Sequence, residues 1–379
     1  MRIAIEFTAA LEEGAGIGRL TRELVSALIR QRPEHAFTLL GPKGADWAQA
    51  PASLLPNVRR ATLPVSSRAM SVLWYRFRLP LAVDRWTGPA DLFHATDYTM
   101  PPHRMPAVVT VHDLSFLRHP ELAHPKLARF LTTAVPHAVA DACLVVADSE
   151  HTRRDVIELL GAPAEKVRVA YGGVGPAFTP ASPEAVASTA ERHGLTAGNY
   201  LLSVSRLEPR KNLVGLLHAY RALVDRRGES TPPLAIGGSA GWMFQPIYDA
   251  LETLKLGSRV RLLGRVPDAD LPSLLTGASC FVYPSFYEGF GLPPLEALAC
   301  GAPVVASNAS CLPEALGEAA LYAAPADTEG IARAIERVLD DGALRATLRE
   351  RGFAQARRFT WDAAATQLMA AYESAGVVH

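Results

Sequence analysis

The chain reads as an α/β protein of two doubly wound halves, and three observations carry that reading. Its 379 residues exceed the roughly 250 to 300 at which a single hydrophobic core stops growing, so two domains are the default. Short β-branched apolar runs alternate with segments of helical period from end to end, as parallel strands joined by crossover helices require. The alternation then starts afresh near Tyr200, after a proline-rich stretch.

In the first half, strands are expected at Ile3 to Phe7, Phe37 to Gly41, Leu92 to Ala95, Val108 to His112, Cys143 to Ala147 and Val167 to Tyr171. Between the first two, Ile17, Leu20, Leu24 and Leu28 recur at helical spacing and give one apolar stripe. The linker begins near Pro176 and contains Pro180 and Pro183, with a short helix inside it before Gly198. Strands of the second half are expected at Tyr200 to Ser205, Leu234 to Gly237, Val260 to Leu263, Cys280 to Tyr283 and Pro303 to Ala306. Thr360 is placed to cap a last helix that runs to about Ser374 and includes Trp361, Leu368, Met369 and Tyr372.

Lysine plus arginine equals aspartate plus glutamate at 38 each, so no global field draws the chain to nucleic acid, and any anion site must be local. Four cysteines without a CxxC pair, three of them in apolar or helical stretches, read as buried thiols in a reducing compartment. The opening MRIAIEF lacks the apolar core of a signal peptide, and no run of about 18 apolar residues occurs. A cytoplasmic protein is expected, with contact at a membrane surface left open. That contact would fall on residues 68–80, where Arg68, Arg76 and Arg78 interleave with Met70, Trp74, Tyr75 and Phe77. The other reading of this stretch is an amphipathic helix whose aromatics fill the core.

Ligands of open parallel sheets bind outside the carboxyl ends of the strands, so the residues just past each strand carry the functional argument. EGFGLPPLEALACG, from Glu288 to Gly301, follows one expected strand: its glycines let backbone approach a ligand, Pro293 or Pro294 suits a first helical turn, and Gly301 suits the position after the last. The helix start would face a phosphate, and Glu296 or Glu288 would accept hydrogen bonds from sugar hydroxyls. Alternatively Glu288 is a solvated loop residue and Glu296 stabilises the helix dipole. SRLEPRKN, from Ser205 to Asn212, follows another strand: Arg206 and Lys211 suit a diphosphate, and Asn212 would cap the helix starting at Leu213. Solvated surface cations are the plain alternative.

Gly14, Gly16 and Gly18 follow the first strand without completing a dinucleotide fingerprint, so a glycine loop leading into the helix at Ile17 is the better reading. His112 and Asp113 end one strand while His94 and Asp97 follow another, and the two pairs are expected at tips of one sheet. No His or Cys spacing matches a metal site, so neither a metal nor another cofactor is expected.

On these residues the sequence resembles glycosyltransferase family 4, the retaining GT-B enzymes, over essentially its whole length. The Glu288 to Glu296 spacing matches the family's E-x7-E, SRLEPRKN its arginine and lysine motif, and the early glycine loop its entry into a helix. The resemblance implies two Rossmann-like domains facing across a cleft. They would run 1–175 for the acceptor and 176–359 for the nucleotide sugar, with 360–379 packing back on the first. It implies that Glu296 binds the nucleotide ribose, Glu288 donor sugar hydroxyls, and Arg206 with Lys211 the leaving diphosphate. His112 would lie near the donor sugar, Gly264, Arg265 and Val266 near the base, and Gly289, Phe290, Gly291 and Leu292 along the donor. Gly16 would meet donor phosphate or acceptor. HDLSFLRHPE and SRLEPRKNL look most like bacterial mannosyltransferases of O-antigen and exopolysaccharide assembly, which implies GDP-mannose as donor and a saccharide or lipid-linked saccharide as acceptor. A UDP-sugar donor, a sugar-nucleotide epimerase and a non-catalytic sugar-nucleotide binder are the alternatives. One departure is YGGV at Tyr171 to Val174, where the family more often has Asn-Gly-Val.

Overall fold

A computed structural model of the chain describes residues 1–12, 16–77 and 79–375. Gly14 and Arg78 of the readings above lie outside these. The chain divides into two compact units, the first from Met1–Arg118, Pro125–Gly173 and Phe359 onward, the second from His119–His124 and Val174–Arg358.

The first unit holds β1 (Arg2–Glu6), β2 (Ala36–Gly41), β3 (Val58–Thr62), β4 (Leu92–Ala95), β5 (Ala107–Val111), β6 (Leu144–Ala147) and β7 (Val167–Val169). They form one parallel sheet in the order β3-β2-β1-β4-β5-β6-β7. The second unit holds β8 (Leu201–Val204), β9 (Leu234–Gly237), β10 (Val260–Gly264), β11 (Cys280–Tyr283), β12 (Val304–Ser307) and β13 (Ala320–Ala323), parallel in the order β10-β9-β8-β11-β12-β13. Strands β4, β5, β6, β9, β11 and β12 are buried at every residue, which is why each reads as an unbroken apolar run. Strand order reverses beside β1 in one unit and beside β8 in the other, and such a reversal opens the crevice in which doubly wound sheets bind ligands.

The stripe on the helix Ile17–Gln31 buries Leu20, Leu24 and Leu28. Against it lies the last helix, Trp361–Ser374, whose first turn is capped by Thr360 Oγ1 accepting from Ala363 N at 3.1 Å. Trp361, Leu368, Met369 and Tyr372 are buried, and Gln31 Nε2 donates to Asp362 O at 2.9 Å. The second glycine of YGGV has a steric reason here, since a Cβ on Gly173 would stand 2.3 Å from Trp361 N; nothing in the structure explains Gly172, where the family more often has Asn.

The chain from His119 to His124, read from sequence as part of an unbroken first domain, is counted with the second unit. There Trp242 Nε1 donates to Leu122 O at 3.1 Å and the His119 ring meets Tyr287 edge-on at 6.0 Å. Residues 68–80 divide as well. Met70 and Trp74 are buried, with Trp74 Nε1 donating to Leu81 O at 2.8 Å, so neither reaches a lipid surface as the interfacial reading required. Phe77 is 62% exposed, and Leu79 and Arg76 also face outward. Among the described residues no helix is long and apolar enough to cross a membrane.

Candidate functional site

In the second unit β8 and β11 flank the order reversal. Past β8 the chain makes a single tight turn at Pro209–Lys211 and enters the helix Leu213–Arg227. Past β11 it runs through residues 284–291 into the helix Leu292–Ala299, which starts at Gly291 in the left-handed region (φ 92°) and is followed by Gly301 at φ 79°. Backbone and side chain tie the two loops together. Phe286 N donates to Arg210 O at 2.9 Å, and Asn212 Nδ2 donates to Pro284 O at 3.0 Å and Pro325 O at 2.7 Å. Asn212 therefore makes no cap bond to its helix, contrary to the sequence expectation, because its own backbone is left-handed and its amide serves the neighbouring loop.

The loops bring four charges together. Lys211 Nζ donates to Glu288 Oε1 at 2.8 Å and Oε2 at 3.0 Å, and to Tyr283 Oη at 3.1 Å. Arg210 Nη1 donates to Glu288 Oε2 at 3.0 Å and Tyr287 O at 2.8 Å, while its Nη2 donates to Glu208 Oε1 at 3.0 Å. Ser310 Oγ accepts from Glu288 N at 2.9 Å and fixes the loop behind the carboxylate. Burial opposes ionisation of Glu288, but the charges of Lys211 and Arg210 outweigh it and hold the carboxyl down to about 2. Burial and the charge of Arg210 lower Lys211. Glu208, only 1% exposed, and Arg210 were not singled out in the sequence; the signal was present in the second cation beside Lys211 at a strand tip.

Of the other expected donor residues, Arg206 is exposed, its stem against Gly241, where an added Cβ would meet Arg206 Cγ at 2.9 Å. Gly264 ends β10 at φ 65°, its carbonyl accepting from Gly238 N at 2.7 Å; Arg265 is exposed and Val266 buried. Gly289, Phe290, Gly291 and Leu292 are buried, and Glu296 is 4% exposed, so it is not a solvated helix residue.

In the first unit two histidines differ by their neighbours, His112 just past β5 and His94, expected at a tip, inside β4. His112 directs Nδ1 at Asp148 Oδ2 (2.8 Å) and Nε2 at Thr96 O (2.9 Å); the carbonyl can only accept, and so can Asp148 while it is ionised, in which state both ring nitrogens carry hydrogen. Burial works against that charge, yet Asp148 outweighs it and lifts His112 to about 9. His94 instead meets two hydroxyls, Tyr372 Oη and Thr110 Oγ1, each at 2.7 Å, and burial with the nearby His112 charge pushes it down to about 3. At the order reversal, Glu6 ends β1 and accepts from Thr8 N (2.9 Å) and Thr96 Oγ1 (3.1 Å). Asp97 follows β4, and burial raises both carboxyls, Asp97 adding to the rise at Glu6. Asp113 Oδ1 accepts from Ser115 N at 2.8 Å in a local turn. Gly16, at φ 59°, precedes the helix Ile17–Gln31 and is exposed.

Comparison with known proteins bears on both units. Residues 14–178 match the family described as Glycosyltransferase Family 4, and residues 189–355 match Glycosyl transferases group 1. The chain is 34% identical over 372 residues to the O-antigen chain mannosyltransferase B of Escherichia coli, covering 94% of this chain and 96% of that one. Among solved structures it shares its fold with a sucrose-phosphate synthase from Thermosynechococcus elongatus, at TM-score 0.76 and 21% identity over 98% of both chains. It also matches Anabaena Alr3699/HepE in complex with UDP and glucose, at TM-score 0.73 and 20% identity over 99% of this chain and 100% of that one.

Proposed function

The chain belongs to glycosyltransferase family 4, and from that premise we propose that it transfers mannose from GDP-mannose, with retention of configuration, to a saccharide or lipid-linked saccharide at the cytoplasmic face of a membrane. The observation that carries the sugar assignment is the identity to a mannosyltransferase over nearly the whole of both chains. In this reading Lys211 and Arg206 receive the diphosphate, Glu288 the donor sugar hydroxyls and Glu296 the ribose. His112 acts as a fixed cation. With both ring nitrogens held by acceptors it has no lone pair to take the acceptor's proton, which supports a path in which a leaving phosphate oxygen takes it. The protein's part is then positioning and stabilisation of developing charge, without a bound metal. The acceptor falls to the first unit, where Glu6 and Asp97 flank the order reversal.

A calorimetric panel of GDP, UDP, GDP-mannose and UDP-glucose, followed by NMR of the product's anomeric centre, tests this. GDP-mannose is expected to bind and to give an α-linked product. The UDP bound to the Anabaena structure keeps a UDP-sugar as the second reading, and binding of UDP-glucose but not GDP-mannose would establish it in place of the first. An epimer formed from nucleotide sugar alone, or binding without turnover by any acceptor, would overturn both.

A further inference from the structure

We infer that Arg210 is a positioning residue that lets Glu288 release Lys211 to a diphosphate, an inference that rests on the reading of Lys211 as the diphosphate cation. Lys211 Nζ is shared between both oxygens of Glu288 and the Tyr283 hydroxyl, and the side chains of Lys211 and Glu288 are only 11% and 7% exposed. A diphosphate can use this ammonium only by competing with a carboxylate that has little access to water. If Lys211 were the sole counter-charge, its departure would leave Glu288 buried and unpaired, which carries a large desolvation penalty.

Arg210 removes that obstacle. Its guanidinium contacts the oxygen Oε2 of Glu288 at 3.0 Å and is itself held by Tyr287 O and Glu208 Oε1, neither of which accepts from Lys211 Nζ. Its carbonyl accepts from Phe286 N, so its backbone is pinned to the very loop that carries Glu288. Three acceptors lying around one planar fork suit arginine, whereas a lysine ammonium is a point charge that lacks the fork's fixed geometry. Glu288 thus keeps a cation when Lys211 moves, stays ionised, and stays placed for the donor sugar. Glu208 balances Arg210, so the two acids and two bases are neutral together before the diphosphate adds its charge.

The test is a double-mutant cycle read by calorimetry with GDP and UDP, on variants whose fold is checked by thermal unfolding. Glu288→Gln alone is expected to bind nucleoside diphosphate no more weakly than the wild type, since it frees Lys211. Arg210→Gln should weaken binding about tenfold, and adding Glu288→Gln to it should restore the affinity, a coupling of the size contacting residues show. A merely structural role for Arg210 would give no such restoration. Should Arg210→Gln fail to fold, Arg210→Lys takes its place in the cycle: it keeps the charge without the fork, and is expected to bind more weakly than the wild type and to regain affinity with Glu288→Gln. Unchanged affinity in the Arg210 variant used, or a double variant no tighter than that single one, overturns the inference. A wild type that binds neither nucleotide defeats instead the donor-site reading on which it rests.

Discussion

Replacing Asp148 by asparagine removes the negative charge 2.8 Å from His112 Nδ1 and offers the ring a neutral amide instead. His112 titrates at about 9 in the folded chain against an ordinary 6.5. At ~1.4 kcal/mol per pH unit, that difference corresponds to about 3 kcal/mol. The side chains are 5% and 6% exposed, so solvent screens the pair little. Because the folded value is raised, this stabilisation is fully present below pH 6.5 and is lost as pH rises through about 9. The assay is NMR of ¹⁵N-histidine-labelled protein across pH 5 to 10, with urea unfolding at the ends of the window. In the wild type one imidazole should keep both N–H groups at neutral pH and titrate near 9, and unfolding should become easier across that window. In Asp148→Asn the same ring should lose its proton at a lower pH than in the wild type, since burial is then opposed only by the Asp97 charge and the Thr96 carbonyl, and the alkaline loss of stability should shrink. A neutral His112 in the wild type at pH 7, or an undiminished alkaline loss in the variant, would refute the reasoning.

Three further outcomes are expected. Lys211→Ala and Glu296→Ala should each weaken nucleoside diphosphate binding roughly 10- to 100-fold, the range of a lost charge-assisted hydrogen bond, while circular dichroism stays unchanged; calorimetry on the folded variants showing wild-type affinity would remove both from the donor site. Transfer should survive treatment with a chelator, and activity that is lost and then restored by manganese or magnesium would show a metal requirement. Binding to anionic liposomes at low salt should fall when Arg76, Phe77 and Leu79 are changed together, and should fall with added salt; wild type that never cosediments yet glycosylates a soluble acceptor would remove the membrane from the account.

The centre of each sheet was legible because a strand buried on both faces leaves an unbroken apolar run: Leu92 to Ala95, Leu234 to Gly237 and Cys280 to Tyr283 were placed to the residue. The strands missed, β3 and β13, are both sheet edges. Arg59 and Arg60 of β3 are exposed and break the apolar signal, as charges that guard an edge from further pairing do. At the candidate site, strand-tip logic found Glu288 and Lys211, but it treated them as two separate ligands for a donor. Their contact with each other, and with Arg210, depends on how two loops 77 residues apart meet, which spacing along one chain does not encode. The same limit hid Asp148: a carboxylate after β6 gives no sign in the sequence that a histidine after β5 faces it. For Trp74 the sequence left two readings, interfacial or core, and the indole N–H bonded to Leu81 O inside the unit bears out the core one.

The last helix bears on how the protein is made. Gly173 closes against Thr360 and Trp361, and Tyr171 N donates to Gln367 Oε1 at 3.0 Å, so the first unit is left by the chain and rejoined by it at one spot. The intervening Val174–Arg358 is, in effect, an insert between adjacent ends. During synthesis the insert is complete before the helix that carries Trp361, Leu368 and Tyr372 has been translated, so the unit that begins first is finished last. His94 must wait for Tyr372, 278 residues downstream, before its ring has both partners. A nascent chain stalled short of Phe359 should therefore hold a folded insert and an open first unit, and joining Gly173 to Phe359 through a short linker should yield the first unit as a separable protein.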